Sequence, residues 1–425
     1  MSIQVENKPS NEVVVPRAIV ATATATKASR GAFYIMLTAF IAYQFEITSG
    51  VPAATTQALV SFATMAGLLR PLLGYWNDTL PVTQHRRKPY MIIGNILYLA
   101  SVVLLLTLPN PSVSVGFYVV LAALIIYGIG EAIIDVSTDA LMLDVATTKV
   151  EKNRIQAMSR TGAIGGIMIA YGLGSFLVGA TWLWFLVSMA AMIVIGTALT
   201  FTIQEPKITR AQVQEQIGRE HSAIPQSYKG TLWIAGILML LSTLGEGLVN
   251  VQLEPWLIAR YGGLPEQYYL TELLGAAIAL GIVGAIAASR RAMRTNLSKL
   301  IIPTIIVAVT FYAGLPWLAP DLPTYLVWVT AKGTAAMLFT LAAERILMDV
   351  VKGARKGATY QYFVLFLTGG SFAGGFLGSM LRHVVGMEGL LVLVAVVLMA
   401  ALGIYVALLA PRITFSNPDT RTGDV

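Results

Sequence analysis

Long apolar runs alternate with short polar breaks marked by glycine, proline and charge, and the pattern recurs from about residue 31 to about residue 410. A hydrocarbon layer of roughly 30 Å is crossed by about 20 apolar residues in a helix. Each run is long enough to do so. Runs and breakers together predict twelve helices, at 31–52, 55–76, 89–108, 115–145, 156–179, 181–203, 229–254, 268–289, 298–319, 323–349, 358–381 and 387–410. The longest polar stretch, Gln204 to Ser227, separates six helices from six. The expected organisation is a tail (1–30), a six-helix bundle (31–203), a linker (204–228), a second bundle (229–410) and a final tail (411–425). The fold class expected is all-α, a polytopic membrane protein of two pseudo-symmetric halves.

A repeat supports the two halves. Shifted by 205 residues, Gly128, Leu141, Asp144, Val145, Gln156 and Gly165 fall on Gly333, Ile346, Asp349, Val350, Gln361 and Gly370, and Asp139 falls on Glu344. This is the parallel repeat of two six-helix halves. Composition agrees, with 56% hydrophobic and 12% charged residues and a mean hydropathy of +0.71. Soluble domains carry about 25% charged residues, so the expected solvent is a lipid bilayer.

The net charge of +7 is explained by where the basic residues fall. Arg86-Arg87-Lys88, Lys149 to Arg154, Lys207 to Lys229, Arg290 to Lys299 and Lys352 to Lys356 occupy alternate loops, which is the positive-inside bias. It predicts an integral membrane protein with both termini cytoplasmic, and it makes nucleic acid unnecessary as a partner. The first thirty residues are polar and mixed, without the apolar run of a signal peptide. Cysteine is absent, which removes disulfides and thiolate chemistry. The chain contains no phosphate-binding loop, nucleophile elbow or metal-ligand cluster, so an enzyme is not expected and no cofactor is required.

Charged side chains at bilayer depth cost about 2.5–3.5 kcal/mol each. Each therefore needs a reason to be there. Glu46 lies on helix one, Glu131, Asp135 and Asp139 on helix four, Glu246 and Glu254 on helix seven, and Lys332 on helix ten, with Glu344 and Arg345 nearer that helix's inner end. These four helices are the expected lining of a substrate or coupling cavity. The spacing of four puts the helix-four carboxylates on one face, where all three cannot cheaply stay ionised. Two readings remain open: a proton-coupling stripe, or a structural network paired with Lys332 and Arg345. Lys332 itself either neutralises Glu131 or meets an anionic substrate. Glycines at small-xxx-small spacing in helices five and eleven predict close helix packing.

The segment RPLLGYWNDTLPVTQHRRKPY, residues 70 to 90, resembles the helix two to three signature of the major facilitator superfamily. The resemblance implies an inner gate at Gly74, Asp78, Arg86, Arg87 and Lys88. Asp144, Arg154, Glu344, Arg345 and Asp349 are the further gate candidates at the inner ends of helices four, five and ten. Two families within the superfamily are similar in more detail. The bacteriochlorophyll-delivery (PucC-like) family resembles the chain at Glu46 followed by GVPA, at R-x-L-x-G-x-x-x-D (Arg70 to Asp78) and at D-x-A…R (Asp144 to Arg154). The similarity continues at LEPW, at Tyr261-Gly262 and Pro265, and at GARKGATYQYFVLFLTGGSFAGGFLG. This resemblance implies photosynthesis-linked handling of (bacterio)chlorophyll as transient cargo, or assembly with light-harvesting subunits. Folate–biopterin transporters look similar at P-L-x-G…D-x-x-P…R-R-K-P-Y and at DVSTDAL in helix four. That resemblance implies proton-coupled secondary transport of a small organic anion. The acidic helix four departs from the PucC-like pattern and favours transport. Chlorophyll magnesium most often takes an imidazole ligand, and His85, His221 and His383 all fall in loops or at a helix end, leaving Glu46, Gln252 and Glu254 as substitutes.

Overall fold

The computed structural model describes residues 17–35, 51–107, 115–145, 149–177, 182–205, 207–219, 226–261, 265–288, 301–318, 321–350 and 356–411. Its helices are α1 (Arg17–Ile35), α2 (Ala53–Met65), α3 (Arg70–Thr79), α4 (Lys88–Leu106), α5 (Val115–Val145), α6 (Lys149–Leu177) and α7 (Trp182–Phe201), followed by α8 (Arg210–Arg219), α9 (Gln226–Tyr261), α10 (Pro265–Ala288), α11 (Ile301–Gly314), α12 (Leu322–Val350) and α13 (Lys356–Ile404). A 3-10 turn, Ala66–Leu69, joins α2 to α3 as one span, tightened just ahead of Pro71, whose missing N–H cannot continue the α ladder. Gly386, at φ 70°, breaks α13 into two arms where the sequence places the turn between helices eleven and twelve. Among the described residues five helices are long and apolar enough by themselves to cross a bilayer, and five shorter apolar helices accompany them. The chain is an all-α, multi-pass membrane protein.

The first helix begins at Arg17, well before the expected start at 31. Its sequence, RAIVATATATKASRG, looks like a tail because Thr, Lys and Arg lower its hydropathy. Yet Thr22, Ala23, Thr26 and Lys27 are buried, and Thr22 donates 3.0 Å to the Leu199 carbonyl of α7. Polar groups that protein neighbours satisfy do not need water. The linker also contains a helix: Thr209 and Gln212 cap each other reciprocally at the start of α8, at 2.8 and 3.3 Å.

Glycine sets the closest approaches. A Cβ at Gly162 or Gly166 of α6 would stand 2.2 or 1.8 Å from the carbonyl oxygens of Thr24 or Ala28 on α1. In the second half a Cβ at Gly370 or Gly374 of α13 would stand 2.3 Å from the carbonyls of Leu240 or Leu244 on α9. Gly31 faces the Ala163 carbonyl as Gly247 faces that of Ser371. The two helix pairs are therefore the same unit repeated, with α1 positions recurring 216 residues later and α6 positions 208 residues later. The ungapped 205-residue register does not hold here, because Gly165, matched by it to Gly370, meets nothing within 4 Å. The structural register places Glu246 where the first half has Arg30.

The halves meet where the α2–α3 span packs on α13 and where α6 packs on α10. The main hydrophobic core is shared, running from Phe33 and Tyr98 to Leu398 and Leu409.

Candidate functional site

Helix α5 carries Glu131, Asp135 and Asp139 on one face, as the spacing predicts, and the structure supplies their partners from α1 and the 70–79 helix. The Lys27 ammonium donates to Asp135 and, at 3.1 Å, to Asp139. The Arg30 guanidinium reaches Glu131 at 2.5 Å and Asp135 at 2.6 Å. Arg70 reaches Asp135 at 3.0 Å and Glu131 at 3.4 Å. Three cations thus face three carboxylates. One reading of the sequence pairs the stripe with Lys332 and Arg345. Among the described residues it is met by residues expected in the tail and in the 70–90 motif, because α1 starts early, while the Arg345 side chain lies outside them. Gln361 of α13 adds a hydrogen bond to Asp139 at 3.2 Å, tying the cluster to the second half.

Lys27, Arg30, Arg70 and the three carboxylates line a cavity of about 370 Å³ between the halves, with Thr243, Glu246, Gly247, Thr340, Tyr360 and Ser371 opposite. Small-molecule sites occupy about 300–1,000 Å³. Asp135 is 4% exposed at its side chain and Arg30 32%, so Arg30 is the member of the cluster that the cavity reaches best.

Glu246 makes no ion pair among the described residues. Lys332 also forms none there, and its ammonium lies 5.2 Å from the Phe311 ring centre and 5.4 Å from that of Tyr312. Glu272 of α10, which sequence reading missed, accepts hydrogen bonds from Tyr268 at 3.0 Å and from Tyr325. Its signal was a single acid one turn into the apolar run expected at 268–289. Glu46 lies outside the described residues, and so do the side chains of Glu254, Arg154, Glu344, Arg345 and Asp349.

The predicted gate residues of the 74–88 segment do converge. Asp78, fully buried, accepts from Arg87 at 2.7 Å. Its second oxygen accepts the Ala358 backbone N–H at 2.7 Å, in the first turn of α13, where the helix dipole favours a carboxylate. The close fit leaves no room on either side: a Cβ at Gly74 would lie 3.0 Å from the Ala358 Cα, and one at Gly357 2.9 Å from Asp78 Oδ1. Arg87 also donates to Asp144 at 3.0 Å and to Asn77. Burial disfavours its charge, but Asp144 and Asp78 outweigh that and hold its pKa above the ordinary guanidinium value. Burial lowers that of Arg86, with Arg87 alongside adding to the effect. Glu205 accepts the backbone N–H groups of Arg86, Arg87 and Lys88 at 2.7–2.9 Å. Lys88 reaches the carbonyls of Phe201 and Ile203 at 2.8 and 3.0 Å, so the segment at the end of α7 is bound to the 86–88 loop.

Two helical halves around a charged central cavity, latched at one end by an Asp–Arg pair, define a class. The model of the Major Facilitator Superfamily matches residues 19–344, and the chain belongs to that superfamily. Among curated proteins it is similar to a folate-biopterin transporter of Synechocystis sp., at 26% identity over 131 residues, 30% of this chain and 26% of that one. It is also similar to probable folate-biopterin transporter 2 of Arabidopsis thaliana, at 22% over 254 residues, 58% of this chain and 49% of that one. The matched stretches thus span half or less of these relatives' own length. Among solved structures the human organic anion transporter MFSD10 (TETRAN) aligns with a TM-score of 0.69 over 91% of this chain and 99% of its own, at 15% identity, which shows the shared fold.

Proposed function

We propose that the protein is a secondary carrier of a small organic anion of the folate–biopterin class, working by alternating access around the central cavity. The observation that carries this reading is the cavity of about 370 Å³ between the halves with Arg30 opening into it. A cavity at the interface of repeats is where carriers of this build hold their cargo, and the curated relatives support the class of anion. Orientation with both termini cytoplasmic belongs to the same proposal and follows from the loop charges.

Proton coupling through Glu131, Asp135 and Asp139 takes a specific form here. Each carboxylate is held by a cation, so a proton entering the stripe has to displace one of them, and the displaced Arg30 is then free to meet the anion. The test is uptake of labelled folate into proteoliposomes under an imposed pH gradient, comparing wild type with Asp135→Asn. Gradient-driven uptake in wild type and its loss in the variant support the reading. Unchanged uptake in Asp135→Asn removes that residue from coupling, and wild-type vesicles no better than empty ones remove the carrier reading.

Bacteriochlorophyll handling draws no specific support from the site. The central cavity has no histidine among its described lining residues, and Gln252, fully buried, lines neither cavity.

A further inference from the structure

A second cavity of about 90 Å³ lies within the second half and adjoins the central one, since Thr243, Glu246, Thr340 and Leu367 line both. Its polar lining consists of Ser242, Thr243, Glu246, Thr304, Lys332 and Thr340 in an otherwise apolar wall.

The hydroxyl hydrogens of this pocket are already committed. Ser242 donates to the Leu238 carbonyl at 2.9 Å, Thr243 to Met239 at 2.9 Å, Thr304 to Ile301 at 2.8 Å and Thr340 to Ala336 at 2.7 Å. A hydroxyl has one hydrogen and two lone pairs. Once it has donated to its own helix, it offers a neighbour only an acceptor. Four hydroxyl oxygens and the two oxygens of Glu246 therefore make the pocket acceptor-rich. Lys332 is the charged donor in the wall, and its ammonium sits against the Phe311 and Tyr312 rings. Such a pocket offers more acceptors than donors and suits a group rich in N–H donors.

The internal repeat adds an independent argument. Glu246 occupies the place that Arg30 has in the first half, where the opposed charges on the neighbouring helix close onto Arg30 at 2.5 and 2.6 Å. The second half inverts the sign and leaves the pair open, with no ion pair to Glu246 among the described residues. Glu246 is exposed, and a carboxylate can accept several hydrogen bonds from N–H donors. An open carboxylate beside a cavity is satisfied when cargo brings them.

We infer that the side pocket holds the donor-bearing edge of the cargo's ring: adjacent N–H groups of a flat heterocycle face Glu246 and the hydroxyl oxygens, while the anionic end stays in the central cavity with Arg30. The space of about 90 Å³ suits a ring edge and not a whole molecule, since a cavity of roughly 150 Å³ is what benzene occupies. The inference rests on the carrier reading above and assigns the two ends of its substrate to two different sets of residues. It moves the recognition of the anion away from Lys332.

The test uses the full-length protein in proteoliposomes and competition against labelled folate. Biopterin carries the donor edge without the anion, and p-aminobenzoyl-glutamate carries the anion without the edge. For Glu246→Gln the inhibition constant of biopterin is expected to rise about 10–100-fold, the effect of losing hydrogen bonds to a charged acceptor, while that of p-aminobenzoyl-glutamate stays put. Thr340→Val, which removes one acceptor at nearly constant volume, is expected to weaken biopterin by a few-fold in the same direction, and it carries the test if Glu246→Gln fails to fold. Unchanged biopterin competition in a folded variant overturns the inference, as does an equal loss for both competitors. Wild-type vesicles that exchange no folate overturn the carrier reading first, and the assignment of the two ends with it.

Discussion

Asp135→Asn tests the charge cluster most severely, because Asp135 is the carboxylate that all three cations share. Lys27 donates to it, Arg30 reaches it at 2.6 Å and Arg70 at 3.0 Å. The substitution keeps the shape and removes the charge, leaving three cations facing two carboxylates. Removing one partner from a buried ion pair costs about 3–5 kcal/mol, chiefly by stranding the other. With Lys27 and Arg70 at 10% and 5% side-chain exposure, solvent offers little relief. The expected loss is therefore about 3–5 kcal/mol, and it is expected to exceed that of Asp139→Asn, which strands one ammonium that still has Asp135. Unfolding of a large multi-pass membrane protein is not a two-state process, so the readout is the rank order of apparent melting temperatures in one detergent. A compensating variant, Lys27→Met with Asp135→Asn, restores neutrality and is expected to recover part of the loss. Wild-type stability in Asp135→Asn, or no recovery in the double variant, would refute the reasoning.

Three further outcomes follow from particular contacts. Gly166→Val sets a side chain 1.8 Å from the Ala28 carbonyl and forces α1 and α6 apart by more than about 1 Å, so a large drop in melting temperature is expected; Gly165→Ala, with nothing within 4 Å, is expected to be tolerated, and equal effects would contradict the packing. Asp78→Ala removes the acceptor of the Ala358 N–H and one partner of Arg87; hydrogen exchange across 356–361 is expected to speed up, and unchanged protection would discount the latch. Asp321 caps α12 through the Thr324 N–H at 2.8 Å, a hydrogen bond that holds its carboxyl below the ordinary pKa. The cap's stabilisation is complete above the ordinary carboxylate pKa and is lost as pH falls through the lowered folded value. Protection factors in the first turn of α12, corrected for the intrinsic slowing of exchange in acid, are expected to fall on acidification in wild type and not in Asp321→Asn, and identical profiles would discount the cap.

Hydropathy located the spans well where the run is apolar throughout. Helix α5, expected at 115–145, occupies Val115–Val145 although it is the most buried of the candidate spans. It misplaced the start of α1, whose Thr, Lys and Arg side chains face protein. That single shift hid two of the cluster's three cations, since Lys27 and Arg30 fall in the expected tail. The three spaced carboxylates of helix four were themselves the missing signal, because buried like charges require nearby cations. Local motifs reported local geometry: Asp78, Arg86 and Arg87 lie close in sequence and meet in space. Pairings set by helix rotation and close approach, such as Arg30 with Glu131 or Glu272 with Tyr325, have no such signature. The same holds for the inverted sign at Arg30 and Glu246, visible once the glycine contacts gave the repeat its register.

The absence of cysteine allows the central claim, that cargo binds between the halves, to be measured on a single introduced thiol. Ser371→Cys places that thiol in the lining of the central cavity, and Tyr118→Cys places one on a strongly exposed part of α5. Saturating folate is expected to slow alkylation at 371 and to leave alkylation at 118 unchanged. Equal alkylation at 371 with and without folate, in vesicles that still exchange folate, would contradict binding in this cavity.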